Sequence, residues 1–262
     1  MNITRTLTRA AIAAALATAL GSGVTTAAGA APTTGHNSPT ASARHADDGG
    51  WTGEDGLSLS PADSRRVDAY TENARRAERA ISPRVRAVAR LAGAQVIGFE
   101  NRLKSPDSLK RKVATSLKER PGQSADSVLA TLGDAVRYTL QWGDDRYTDG
   151  VAEASEALSA WGDDSTKWSN TWGRATGYKG LNTGWRAARS GQLFEVQFHT
   201  PASKWAQEAT HELYEEQRLP GTAPERKREL QEQQDAIFAS VPVPPGADRL
   251  TAPVSPALVP VG

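Results

Sequence analysis

Residues 177–200, GYKGLNTGWRAARSGQLFEVQFHT, decide the fold. They read as two β-strands around a turn at Ser190-Gly191. Side chains of a strand alternate between its faces. Phe194, Val196 and Phe198 therefore share one face, while Glu195, Gln197 and His199 share the other. A face that polar either meets water or lines a cleft. Water is the commoner neighbour of an edge strand. Here the Gly177-Tyr178 pair and the cations Lys167, Arg174, Lys179 and Arg186 stand just upstream and favour the cleft.

Three Ser-Pro pairs precede this region: Ser60-Pro61, Ser82-Pro83 and Ser105-Pro106. Each reads as an N-cap followed by proline at the first helical position. They predict a helical N-terminal segment of three helices, the first running to about Ala80. Residues 135–142 then turn β-like, rich in Val, Tyr, Thr and Trp. DRYTDGVAEASEALSAWG looks helical, and KWSNTWGRATGYKGLNTGWRAAR returns to strand. PASKWAQEATHELYEEQRL is amphipathic, with Trp205, Ala209 and Leu213 as its apolar stripe, and APERKRELQEQQDAIFASV is a further helix. No repeat of solenoid length is present. The order predicts an α+β fold in which a small mixed β-sheet is flanked by helices.

The expected organisation is a secretory signal at 1–30, a disordered leader at 31–58, a single domain at 59–240 and a loose Pro-rich tail at 241–262. In the first segment Arg5 and Arg9 precede the apolar AAIAAALATAL, and AAGAA offers small residues for cleavage. The mature protein is therefore expected outside the cell, released and soluble, with no membrane partner. Removing the signal takes two Arg and no acid from totals of 31 basic and 30 acidic residues, leaving a nearly neutral chain. No global basic field points to a nucleic-acid polymer. The absence of cysteine excludes disulfides, a thiol nucleophile and Cys-based zinc sites.

Several residues are candidates for chemistry. Arg102, Lys104, Ser108, Lys110, Arg111 and Lys112 crowd a predicted helix N-terminus, where free N–H groups and cations suit a polyphosphate. Spacing alone favours the plainer reading of a solvated basic face. Asp134 stands just before the β-like run, where a carboxylate reaches a site at a sheet end. In isolation it equals an ordinary turn residue. Glu208 and His211 have i, i+3 spacing, but two of the four histidines lie in the leader. A hydrogen-bonding or packing role for His211 fits better than zinc.

Taken in order, these pieces resemble the synthetase domain of the RelA/SpoT family of alarmone pyrophosphokinases, which has a nucleotidyltransferase-like fold. The family pattern Arg-x-Lys-(x)3-Ser-(x)3-Lys is matched by Arg102, Lys104, Ser108 and Lys112. Its strand-preceding Asp matches Asp134, its Lys before the Gly-Tyr pair matches Lys167, and a second cation matches Arg174. Gly177-Tyr178 and Asn182 stand where the family has Gly-Tyr and His. Glu195, Gln197 and His199 stand where it has Glu-x-Gln-x-Arg. The resemblance covers roughly residues 98–218. The departures are Asn182 for His, His199 for Arg, and Thr139 five residues after the Asp where the family often has Arg. Arg137 stands at three instead. The family's adenine-stacking Arg near Lys167 has no counterpart, and Trp168 and Trp172 are the aromatic candidates to replace it.

The exported format is similar to the secreted actinobacterial ATP nucleotide 3′-pyrophosphokinases. The resemblance implies transfer of the β,γ-pyrophosphate of ATP to the 3′-hydroxyl of a purine nucleotide, with AMP released. It implies Asp134 and Glu195 as catalytic residues and ligands of Mg²⁺ or another divalent cation. It implies Arg102, Lys104, Ser108, Lys112, Lys167 and Arg174 as the ATP phosphate set. Tyr178, Asn182, Gln197 and His199 are implied for the acceptor, with Tyr178 stacking on its base. Two other readings stay open: an exported, non-catalytic nucleotide-binding protein and a secreted alarmone-making toxin. Whether Asp134 and Glu195 face one pocket separates the first of these from an enzyme.

Overall fold

The structure, a computed structural model, describes residues 49–53, 56–219 and 221–254. The expected export segment and most of the expected leader lie outside the described residues. The end of that leader corrects the expectation of disorder. β1 (Trp51–Thr52) pairs antiparallel with β2 (Ser58–Leu59), Leu57 and Leu59 are buried, and Trp51 Nε1 donates to Asp107 at 2.9 Å. Three apolar side chains with core to cover outweigh the polar composition around them.

α1 (Pro61–Leu91) opens as predicted, with Ser60 Oγ accepting from the Asp63 amide. The predicted break before Ser82-Pro83 does not occur, and one helix runs through Pro83. Ser82 is not a cap. Its hydroxyl bonds Glu78 and lies 2.8 Å from the Tyr138 hydroxyl. Ile81, Val85, Val88 and Ala89 bury the same helix face, so packing overrides the proline.

β3 (Gln95–Ile97) follows, then α2 (Pro106–Glu119), α3 (Ala125–Leu129), β4 (Arg137–Gln141), α4 (Tyr147–Ala160), β5 (Asp164–Asn170), β6 (Leu181–Arg186) and β7 (Leu193–His199). The five strands β3 to β7 form one sheet in the order β3-β4-β7-β6-β5, with β4 and β7 parallel and the other pairs antiparallel. This is the small mixed sheet flanked by helices that the sequence predicts. Tyr138, Leu140, Trp185, Phe194, Val196 and Phe198 fill its apolar face, where α1 docks through the Ser82–Tyr138 contact. Each fully buried side chain of this kind contributes about 1.5–3 kcal/mol.

After β7 the chain enters α5 (Pro201–Ala209) at once. Thr200 and Ser203 form a capping box, each side-chain oxygen accepting from the other's backbone amide, at 3.2 and 3.0 Å. That box turns Ser203 inward, and Ala206 and Gln207 follow it into the interior. The expected stripe is therefore the wrong face, and Trp205 is 57% exposed. Thr210 ends α5 by bonding back to the Ala206 carbonyl, and α6 (His211–Gln217) and α7 (Pro224–Ala239) follow.

The described part of the expected tail, 241–254, is a further correction, and 255–262 lie outside the described residues. Val241 and Ala247 are buried, and residues 245–250 lie along β5. Trp168 Nε1 donates to the Leu250 carbonyl at 3.0 Å, and Asn170 Nδ2 to the Ala247 carbonyl at 2.8 Å. No described helix is long and apolar enough to cross a membrane.

Candidate active site

The polar face of the sheet is built by register. Arg137 of β4 stands beside Glu195 of β7, which faces Gly184 of β6, which faces Lys167 of β5. The next row on the same face is Thr139, Gln197, Asn182 and Ser169. Paired residues project to the same side of a sheet. One face thus carries a cation, a carboxylate, a bare position and a second cation in line.

Asp134 joins this face from the loop before β4. Residues 102–104 run alongside 135–137, with Lys104 N donating to the Ala135 carbonyl at 3.0 Å and Arg137 N to the Arg102 carbonyl at 2.8 Å. That pairing sets Lys104 beside Asp134. Lys112 arrives from α2, whose start is fixed by Ser105 Oγ accepting from the Ser108 amide. Lys104 Nζ and Lys112 Nζ each lie 2.8 Å from a different Asp134 oxygen. Burial alone would raise the Asp134 carboxyl, but the two ammonium groups overcome it and hold the group well below the usual range. Burial lowers Lys104, and Asp134 only partly restores it.

Glu195 is the opposite case. Burial raises it, Arg137 opposes, and the charge of Asp134 adds to the rise. Gln197 Nε2 donates to Glu195 Oε1 at 2.8 Å and fixes the carboxylate's orientation. The two carboxylates therefore act on one another across one site. Lys104, Lys112, Lys167 and Arg137 surround them, and that excess of positive charge suits a polyanion.

The structure does not gather every expected residue. Arg102 turns toward α1: its Nε lies 2.6 Å from Glu78 and its guanidinium stacks on Phe99 at 4.3 Å. A buried carboxylate claims it before any ligand. Ser108 closes the α2 cap against Ser105 Oγ at 2.9 Å. Arg174 is exposed in the loop before Tyr178, where its carbonyl accepts from Lys179.

The expected acceptor residues form a buried network instead of an open surface. Tyr178 is 9% exposed and its ring meets the rings of His199 and Phe238 edge-on. Its hydroxyl lies 3.1 Å from both Asn182 Oδ1 and His199 Nε2, and His199 Nδ1 lies 2.9 Å from Ser203 Oγ. Asn182, Gln197 and His199 are also buried. The expected stacking role of Tyr178 is corrected accordingly: α7 covers it with Phe238. Burial keeps the His199 imidazole well below its usual value, hence neutral at pH 7.

Trp172 is buried with Nε1 on the Tyr147 hydroxyl at 2.8 Å, and Trp168 pairs with Thr183 on the apolar side. Neither stands on the polar face to stack adenine.

Sequence reasoning gave no site role to Arg137 or Lys204. Arg137 is identified by the β4–β7 register, and its charge reaches Glu195, His199 and Lys204. Lys204, in the first turn of α5, bonds Gln207 at 2.7 Å. The sequence marks Arg137 only as a displaced family cation, and its place beside Glu195 follows from β4 lying next to β7. No group of three or more His, Cys, Asp or Glu suited to a metal occurs among the described residues. Asp134 and Glu195 are the two carboxylates that would hold Mg²⁺, which commonly takes one or two protein carboxylates and completes its shell with substrate phosphate and water, and Asp134 would share its oxygens with Lys104 and Lys112.

The chain matches no known family model and no curated protein sequence. Among solved structures it is similar to the Type VI effector Tas1, crystallised with its immunity protein. That likeness has 18% identity, covers 68% of this chain and 96% of the other, and has a TM-score of 0.48. It is also similar to small alarmone synthetase 1 from Bacillus subtilis bound to its product pppGpp, at 16% identity over 66% and 91% of the two chains, TM-score 0.47. A GTP pyrophosphokinase family protein from Streptococcus pneumoniae follows at 17% identity over 47% and 64%, TM-score 0.32.

Proposed function

We propose that this chain is an ATP:nucleotide 3′-pyrophosphokinase acting outside the cell, with a purine nucleotide as acceptor. One observation carries the reading: Asp134 and Glu195 share one polar face and are ringed by Lys104, Lys112, Arg137 and Lys167. A non-catalytic binding site has no need of a second, raised carboxylate beside the first. The motif order described above supports the reaction, and the apolar leader at 1–30 supports export.

The reaction breaks the α–β phosphoric anhydride of ATP and forms a bond between the acceptor's 3′-oxygen and the β-phosphorus. AMP leaves with the electron pair of the broken bond. The 3′-hydroxyl is a weak nucleophile at neutral pH and needs a base within hydrogen-bond reach. Glu195 takes that role. It stands on a central strand beside Arg137, and Gln197 holds its carboxylate in place. Lys104 and Lys112 lie against Asp134 and present their remaining donors to phosphate oxygens. Arg137 and Lys167 flank the β-phosphoryl from the two sides of Glu195 and stabilise charge that develops there. Asp134 and Glu195 would hold Mg²⁺, which when bound supplies further neutralisation of the polyphosphate.

The test is direct. The protein is incubated with ATP and Mg²⁺ alone, then with GTP or GDP, and the nucleotides are separated by anion exchange. AMP formed together with a more highly charged nucleotide is the expected result. ATP bound but unchanged with every metal and acceptor moves the reading to a binding protein.

A further inference from the structure

β5 reaches the polar face through an irregularity. Ser165 pairs with Trp185 and Lys167 pairs with Gly184, so Thr166 is an extra residue without a counterpart in β6. Counting on from Ser165 without it, Lys167 would fall opposite Thr183, on the apolar side with buried Trp185. A bulge of this kind bends its strand and re-aims a side chain. Here it leaves Lys167 in the row that holds Glu195 and Arg137.

The position across from Lys167 is glycine for reasons of space. Gly184 is not in the left-handed region, so its backbone makes no demand for glycine. A β-carbon there would lie 3.1 Å from Lys167 Cβ and 3.0 Å from Thr166 Oγ1. Opposed β-carbons of antiparallel strands ordinarily stand about 4.5–5.5 Å apart. The Lys167 stem therefore occupies space that any other residue at 184 would fill. Gly184 is also the one position between Lys167 and Glu195, and the charge of Lys167 reaches Glu195 across it.

We propose that the Thr166 bulge and Gly184 form a positioning device that lays the Lys167 stem across β6, so that its ammonium meets the phosphate chain of ATP beside Glu195. The ligand named here rests on the function proposed above; the device is a property of β5 and β6. Gly184 is a positioning residue, acting through Lys167.

The experiment is a double-mutant cycle on binding of α,β-methylene ATP, whose carbon bridge replaces the bond that would break. Wild type, Gly184→Val, Lys167→Met and the double variant are compared by calorimetry with Mg²⁺, and each is checked for folding by thermal unfolding. Lys167→Met is expected to weaken binding about tenfold, the size of one lost charge-assisted contact. Gly184→Val is expected to weaken it to a similar extent, and to cost less than about twofold once Lys167 is already gone. If Gly184→Val does not fold, the cycle is run with Gly184→Ala, whose single β-carbon already meets Lys167. A glycine variant that binds like wild type overturns the device. So does one whose loss is as large in the Lys167→Met background, because general damage to the sheet adds to the loss of Lys167. A wild-type protein that binds no analogue overturns the proposed function and, with it, the ligand assigned to Lys167.

Discussion

Asp134 and Glu195 are both carboxylates near the same row of the sheet, yet their surroundings drive them apart. Two lysines bind Asp134 and keep it ionised; burial and Asp134 itself raise Glu195. Such divergence assigns roles, one fixed charge and one proton acceptor. Glu195→Gln keeps the shape and removes the base, and is expected to lower kcat by about 10²–10⁴-fold. Steady-state AMP release measures it, and near-normal turnover would defeat the assignment. His199 titrates with consequences for stability. Unfolded, it takes a proton near its ordinary value of 6.5; folded, it does so only well below. Below pH 6.5 the unfolded chain therefore binds more protons, and stability falls as pH drops, by up to about 1.4 kcal/mol per pH unit. Glu195 acts with the opposite sign: its folded form holds a proton above 4.5, so it favours the fold as pH falls. Urea midpoints between pH 7.5 and 5.5 should decline in wild type and flatten in His199→Gln. Parallel slopes in the two proteins would show that His199 is not the titrating group.

Elements explain which parts of the site the sequence discloses. The alternation around Glu195, Gln197 and His199 depends only on the period of one strand, so it is legible directly. Lys104, Lys112 and Asp134 are legible as motif members, although their contacts depend on the pairing of 102–104 with 135–137. Arg137 depends on β4 lying parallel to β7, two strands separated by α4, β5 and β6. No local pattern encodes that neighbour. The burial of Tyr178 depends on Phe238 of α7, sixty residues further on, and is hidden for the same reason. α1 shows tertiary packing defeating a local signal, since Ser82-Pro83 has every mark of a helix start. Proline inside a helix costs up to about 3 kcal/mol relative to alanine. Pro83→Ala should therefore raise the denaturation midpoint, and a fall would mean that the proline shape itself is needed where α1 meets the sheet.

At the scale of the whole molecule, the edge strand that carries Lys167 is held from outside by the C-terminal segment. β5 has β6 on one side only, and a sheet edge left open exposes unpaired backbone groups. Residues 245–250 run past it, joined to β5 by Asn170 Nδ2 to Ala247 and Trp168 Nε1 to Leu250, and to α4 by Thr148 Oγ1 to the Pro245 carbonyl at 2.7 Å. The proline content of this segment suggests looseness. Its role is visible only once β5 is known to be an edge, because the contacts are mostly to its carbonyls and any sequence supplies those. With no cysteine in the chain, nothing covalent replaces these contacts. A chain ending at Val241 loses the acceptors of three donor side chains, Thr148, Trp168 and Asn170, and the buried Ala247. At about 1 kcal/mol for each bond, the melting temperature should fall by roughly 5–10 °C. Affinity for ATP should fall with it, because β5 positions Lys167, while Lys104 and Lys112 stay in place on Asp134, before β4. Truncation that left both the melting temperature and ATP affinity unchanged would show that β5 holds its place through β6 alone.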